Sequence, residues 1–290
     1  MVKKIINFFI KKYFSFPTLK FLLSCKNYLL KKIYIYFWVS ISKRNVNFLN
    51  FFFDNSYPIQ LNINKDIRFN TNSIKENIFE SLKYNGLVVI ENALEEKEHK
   101  NIIKIFNDLK VKEGRSLRKT EHIIRYAEEH EINNFPNLKK LSDTFTKKVF
   151  GKSLNASAEF YLHYPLKLPE PVINGDNNMH IDRFLPNMKL YYSPYEINED
   201  SAPFCYALSS HIINKEYLDF VKNTTKFSDA DSNSDYFLKQ KKEAICKENS
   251  LIVALTNGFH GRKSFLKFTK RQVVFLQYHK SFNKFSLLFG

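Results

Sequence analysis

Disulfide-forming cysteines, long apolar runs and, over the first 53 positions, acidic residues are what this 290-residue chain lacks. Its three cysteines, Cys25, Cys205 and Cys246, are odd in number and widely spaced. That excludes a disulfide framework and offers no zinc-ligand spacing, so buried thiols in a reducing, cytoplasmic setting are expected. No apolar run approaches the roughly 20 residues needed to span a bilayer, because Lys3, Lys4, Lys11, Lys12, Lys20, Lys26, Lys31 and Lys32 interrupt each one. From Met1 to Phe53 ten Lys or Arg are interleaved with Phe, Tyr, Leu and Ile, and no Asp or Glu accompanies them. Such a segment either makes peripheral contact with an anionic membrane surface or packs its aromatics on the rest of the protein with the lysines in solvent. The formal net charge of +16 invites a nucleic-acid reading. However, Lys outnumbers Arg 37 to 8, Asn, Ile, Phe and Tyr are plentiful, and glycine is scarce, as an AT-rich coding sequence would produce. No recognition motif accompanies the charge, so specific nucleic-acid binding is not expected.

The length fits one medium domain with an extension. Asp54 to Thr71 is rich in Asn and reads as a polar connector. Ser73-Ile74-Lys75-Glu76 is a capping box, and Ile74, Ile78, Phe79 and Leu82 follow on one helical face until Gly86. Leu87 to Ile90 is a short buried strand, and a helix is expected from about Glu95 to Leu109. Gly114 to Glu131 is polar and reads as a loop or lid. Leu138, Leu141, Phe145 and Val149 mark a packing helix over Pro136–Phe150, closed by Gly151. Ala156 to Tyr164 alternates as a strand that could turn Tyr161 or His163 toward a pocket. A loop from Lys167 to Asn178 follows. Further on, a short helix is expected over Asn214 to Asn223 and an exposed excursion, with a little helix near its end, over Thr224 to Lys242. The acids of that excursion, Asp229, Asp231 and Asp235, lack the central glycine and closing glutamate of a calcium loop. Glu248 to Leu255 and Arg271 to Tyr278 are strands, and the apolar tail Asn283 to Gly290 is expected to pack against the core.

The chemistry concentrates in Asn178-Met179-His180-Ile181-Asp182-Arg183 and in the distant Gly258-Phe259-His260. On a strand, residues i and i+2 share a face, so His180 and Asp182 present an imidazole and a carboxylate to one point. A second imidazole from His260 completes two histidines and one acid, the facial set of non-haem Fe(II) oxygenases. Both imidazoles must be neutral and Asp182 ionised to bind, which their ordinary pKa values allow at neutral pH.

The segments around these ligands sharpen the reading. Lys189-Leu190-Tyr191-Tyr192-Ser193 follows the first pair, and an acidic turn, Asn198-Glu199-Asp200-Ser201, leads into Ala202-Pro203-Phe204 and then Ser209-Ser210-His211. Gly258-Phe259-His260-Gly261-Arg262 precedes Lys270-Arg271-Gln272-Val273. In this order the segments resemble the phytanoyl-CoA dioxygenase family, from Ser73 to Lys280. The resemblance implies an α+β fold with a double-stranded β-helix (jelly-roll, cupin-like) core flanked by helices. A dioxygenase domain over 61–290 would follow a basic, aromatic-rich, helical N-terminal extension over 1–60. It also implies Fe(II), O2 and 2-oxoglutarate as co-substrate, with hydroxylation of a small-molecule or lipid-like substrate. Arg271 would hold the far carboxylate of 2-oxoglutarate through its planar pair of donors. Arg262 could reach the same co-substrate or point outward. Related halogenases lack the acid ligand, so Asp182 favours hydroxylation. His211 and His279 compete with His260 as the third ligand, His211 in a turn that is structural in the family. The alternative is a non-catalytic barrel with a vestigial metal site that binds a small molecule or a membrane-associated partner. Neither the substrate nor the oligomeric state follows from the residues.

Overall fold

Strands whose alternate residues are apolar on both faces must be covered on both sides, and the central strands of this protein are of that kind. The computed structural model describes residues 67–70, 76–109, 116–119, 123–151, 153–168, 179–183, 187–212, 217, 220, 228–231 and 239–278. Its strands are β1 (Arg68–Asn70), β2 (Leu87–Glu91), β3 (Ser116–Lys119), β4 (Ile123–Glu131), β5 (Ser157–Pro165), β6 (His180–Arg183) and β7 (Met188–Ser193). They continue with β8 (Phe204–Ala207), β9 (Ser228–Asp231), β10 (Lys241–Glu243), β11 (Ser250–Leu255), β12 (His260–Arg262) and β13 (Arg271–Gln277). The α-helices among the described residues are α1 (Glu76–Asn85), α2 (Glu96–Leu109) and α3 (Pro136–Phe150).

An eight-stranded sheet runs β1-β2-β11-β7-β13-β5-β4-β3, and a five-stranded sheet runs β10-β8-β12-β6-β9. One face of the large sheet, with Val88, Phe160, Leu190, Val253 and Val274, packs on the apolar faces of the helices. Its other face, with Val89, Ile252, Ala254 and Val273, meets Phe204 and Tyr206 of the small sheet. The result is a double-stranded β-helix with helices on its outer side. Ile78 and Leu82 of α1 are fully buried in the outer layer, each worth about 1.5–3 kcal/mol of apolar transfer. The buried carboxylate of Glu98 accepts the backbone N–H groups of Asn137 and Leu138 at 2.9 and 2.8 Å, which ties α2 to the N-terminus of α3.

The expected strands at 87–90, 156–164, 248–255 and 271–278 and the helices at 95–109 and 136–150 form as read, within a few residues at their ends. Three expectations are corrected. The supposed loop at 114–131 holds β3 and β4, and β4 pairs residue for residue with β5 from Ile123↔Pro165 to Glu131↔Ser157. Its charged sequence hid it, because the partner strand supplies the order that propensity does not. The excursion at 224–242 contributes β9 and the start of β10, both edge strands of the small sheet. The connector at 54–71 ends in β1, parallel to β2. The segment 1–53, with Cys25, the capping residues Ser73 to Lys75, the Pro and Gly positions of the loop 167–178, most of the helix at 214–223, His279 and the tail 283–290 lie outside the described residues.

Gly86 ends α1 at φ +77°, and a Cβ there would lie 2.4 Å from both His211 Nδ1 and Tyr206 Oη. Gly86→Ala should therefore lower the unfolding free energy by about 2–4 kcal/mol, left-handed strain and overpacking together. Urea unfolding checks this, and an unchanged midpoint would mean that the α1–β2 turn does not bear on the small sheet.

Candidate metal centre

At the start of β6, Ile181 and the preceding Met179 are buried against Cys205, Ala207 and Phe259 on the outer side of the small sheet. The period of two then turns His180 and Asp182 inward. His260 opens β12 directly opposite His180, between His180 on one side and Tyr206 on the other. The two imidazole centroids are 4.7 Å apart. His260 Nε2 lies 3.5 Å from Asp182 Oδ2, and His180 Nε2 lies 3.9 Å from Asp182 Oδ1. One donor atom from each of the three falls within 4.8 Å of the other two, so His180, Asp182 and His260 can hold a metal ion.

The turn before β12 aims His260. A Cβ on Gly258 would come within 2.8 Å of the His211 backbone nitrogen and closer still to Tyr206, so only glycine lets the chain pass. The carbonyl of Gly258 accepts a hydrogen bond from His260 Nδ1 at 2.9 Å. This fixes the tautomer and leaves the Nε2 lone pair for a metal. Phe259 N donates to Ser210 Oγ at 2.7 Å, and Asn257 Nδ2 donates to the His211 carbonyl at 2.9 Å. The Ser209–His211 turn is thus the buttress of His260. His211 itself is fully buried and bonds the Lys83 carbonyl through Nε2 at 2.9 Å, apart from the triad.

Lys189 Nζ lies 2.6 Å from Asp182 Oδ2. Burial raises the Asp182 carboxyl, but His260 and Lys189 outweigh it and hold the group well below the usual carboxylate range. The acid is therefore ionised and oriented before any ligand arrives. Sequence reasoning gave Lys189 no role. Its signal was a charged residue on a strand covered on both faces, where alternation places it with Tyr191 on the inner side.

The triad opens into a cavity of about 540 Å³ lined also by Tyr191, Phe204, Phe275 and four cations, Arg125, Lys189, Arg262 and Arg271. Arg271 is buried, its Nε has no hydrogen-bond partner, and it has no ion-pair partner among the described residues. Burial lowers its pKa from the ordinary guanidinium value, offset in part by Tyr191. Arg262 turns inward, and burial together with Arg271 and Arg125 lowers it to about 10, still charged at neutral pH. Tyr161 and His163 both line the cavity. The Cys205 and Cys246 thiols are buried, as expected.

No family model matches the chain, and no curated protein does either. Among solved structures the fold is similar to that of a non-haem alpha-ketoglutarate-dependent epimerase. One such structure is SnoN, described in complex with Fe3+, alpha-ketoglutarate and nogalamycin RO, at a TM-score of 0.52 and 11% identity over 70% of this chain and 82% of that one. A second SnoN structure gives a TM-score of 0.51 at 11% identity over the same shares, 70% and 82%. SnoK, a carbocyclase from nogalamycin biosynthesis, gives 0.49 at 13% identity over 71% of this chain and 84% of that one.

Burial, then the guanidiniums of Arg271, Arg262 and Arg125, hold His163 well below the ordinary histidine range, against a smaller opposing effect from its hydrogen bond to the Arg271 backbone. The unfolded chain binds this proton from about pH 6.5 downward and the folded chain does not, so stability falls as pH drops through that value. By NMR the His163 ring should stay neutral below about pH 6, and His163→Phe should flatten the acid side of the stability profile. An ordinary midpoint near 6.5 would contradict this reading of the wall.

Proposed function

We propose that this chain is an Fe(II)- and 2-oxoglutarate-dependent oxygenase, similar to the phytanoyl-CoA dioxygenase family, that hydroxylates a small-molecule or lipid-like substrate. The observation that carries the reading is a pairing across one cavity. Three donors of the right chemistry converge on one wall, and a buried Arg271 lacking an acid partner among the described residues stands on another. The Fe3+ and alpha-ketoglutarate in the SnoN structure support it.

His180, Asp182 and His260 would hold the metal through Nε2, a carboxylate oxygen and Nε2, leaving the cavity side of the ion open. The three donor atoms lie within 4.8 Å of one another and would draw closer to meet one ion. Lys189 would keep the second oxygen of Asp182 turned away. Arg271 would take the far carboxylate of 2-oxoglutarate as a two-donor clamp, with Arg262 adding charge beside it. When bound, iron with 2-oxoglutarate and O2 supplies the oxidising power for C–H cleavage, with succinate and carbon dioxide as co-products. Tyr191, Phe204 and Phe275 line the space where substrate would lie and keep water from it. The full donor set together with Arg271 favours catalysis over a barrel that only binds. Residues 1–60 are read as an extension to a 61–290 catalytic domain, with membrane contact through 1–53 an added proposal. No helix among the described residues is long and apolar enough to cross a membrane.

Two measurements test the assignment. Equilibrium dialysis with Mn(II) should show Asp182→Ala and His260→Ala weakening metal binding at least about 100-fold. Arg271→Leu should raise the Kd for 2-oxoglutarate about 100-fold with metal affinity intact, as the loss of two charged hydrogen bonds predicts, and Arg271→Lys should recover part of it. A wild-type protein that binds neither Mn(II) nor 2-oxoglutarate ends the proposal.

A further inference from the structure

Positive charge around the cavity exceeds what the proposed co-substrate would neutralise. Arg125, Lys189, Arg262 and Arg271 line it, and no Asp or Glu is among the other described lining residues. Asp182, at the edge of the cavity, is already engaged by Lys189 at 2.6 Å. A divalent metal would add to the excess. Of the two carboxylates on 2-oxoglutarate, one would go to the metal and the other to Arg271, which leaves Arg125 unanswered. Like charges gathered on a desolvated wall are unfavourable unless an anion joins them.

The sheet register shows where that anion would lie. Arg271 on β13 and Arg125 on β4 are both paired with His163 on β5, so the three stand abreast on adjacent strands. With strands about 4.8 Å apart, the two arginine backbones are separated by about 10 Å. Arg125 has no ion-pair partner among the described residues, and its buried Nε has no hydrogen-bond partner. Its guanidinium lies over the Tyr161 ring, 4.8 Å from the centroid, which holds it flat. Tyr161 in turn donates its hydroxyl proton to Glu159. Between the arginines, His163 Nδ1 is buried without a hydrogen-bond partner. An uncharged imidazole there keeps a further like charge out of the row.

We propose that Arg125, over Tyr161 and beside His163, forms a second anion subsite, and that the substrate carries an oxyanion group, phosphate, sulfate or carboxylate, that docks there. The proposal rests on the oxygenase reading, in which Arg271 is taken by 2-oxoglutarate. From Arg125 the body of such a substrate would lie along Tyr191 and Phe275 toward the triad. A cavity of about 540 Å³ is in the range that holds a drug-sized ligand, more than a five-carbon diacid fills.

The full chain, loaded with Mn(II) and saturated with 2-oxoglutarate, is titrated calorimetrically with phenyl phosphate, and in parallel with phenyl sulfate, benzoate and neutral phenol. Phenyl phosphate should bind without displacing 2-oxoglutarate and at least about tenfold more tightly than phenol. Arg125→Gln should weaken it about tenfold or more while shifting 2-oxoglutarate affinity less than twofold, and Arg125→Lys should restore part of the loss, which separates charge from misfolding. The ranking of phosphate, sulfate and carboxylate probes identifies the group, and any of the three in first place supports the subsite. Displacement of 2-oxoglutarate by every anion, equal binding to Arg125→Gln, or phenol matching the anions overturns the subsite while the oxygenase reading stands. Failure of 2-oxoglutarate to bind the Mn(II)-loaded chain overturns that reading and the subsite with it.

Discussion

The pairing of His180 with His260 across β6 and β12 is the contact on which the remaining chemistry depends. Backbone register does what sequence distance cannot, bringing two imidazoles from positions 180 and 260 face to face. A one-residue slip of β12 would replace His260 with Phe259 or Gly261 and turn the imidazole outward. The structure spends several devices on preventing that slip. β12 is held by β8 on its other edge, the turn before it fits only because residue 258 has no side chain, and Ser210 and Asn257 pin the same turn to the Ser-Ser-His element. Tyr206 unites these devices, because it faces His260 in the register, fills the space beside Gly258 and Gly86, and bonds the Leu255 carbonyl at 2.8 Å. Stability and site geometry therefore share the same few residues.

Electrostatics divides the cavity differently from the backbone. The triad belongs to the small sheet, whereas Arg125, Lys189 and Arg271 project from the large one, with Arg262 at the end of β12. A buried guanidinium is tolerable only when its charge is answered, and around Arg271 the described residues supply tyrosine and thiol groups in place of an acid. Lys189 is the exception that proves informative: it is a large-sheet cation spent on a small-sheet carboxylate, and so it couples the two halves of the site.

Period-two alternation made the metal strand and the later strands legible from residues alone, because apolar positions on both faces leave few other states. It also exposed His180 and Asp182 as a pair, but His260, expected where a strand ends, instead opens a short strand of its own, β12. What stayed hidden was structure made by partners. β4 carries Arg125, Glu128, Glu129 and Glu131 and looks like a solvated loop until β5 is placed beside it. β9 is polar throughout, yet Asp231 stands opposite His180 in the register. The direction of Arg262 could not be read from its distance to His260, since the end of a strand can turn either way, and the structure turns it in. Arg125 was missed for the same reason as its strand.

The shared fold does not by itself choose the reaction, since at 11% identity SnoN shares the scaffold with this chain and little of its sequence. What differs between proteins on one scaffold is the wall facing the metal. Here that wall is cationic and aromatic at once, a row of Arg125, His163 and Arg271 set beside Tyr161, Tyr191 and Phe275. With Arg271 taken by 2-oxoglutarate, a neutral or basic ligand would leave the half-buried Arg125 guanidinium without a counter-charge, which the rings beside it do not supply. The same wall would grip a molecule with an anionic end and an apolar body in one orientation only, which fixes the part of it that faces the triad. The cationic and aromatic wall is thus set mainly by the large sheet, while the three donors able to hold a metal stand on the small one.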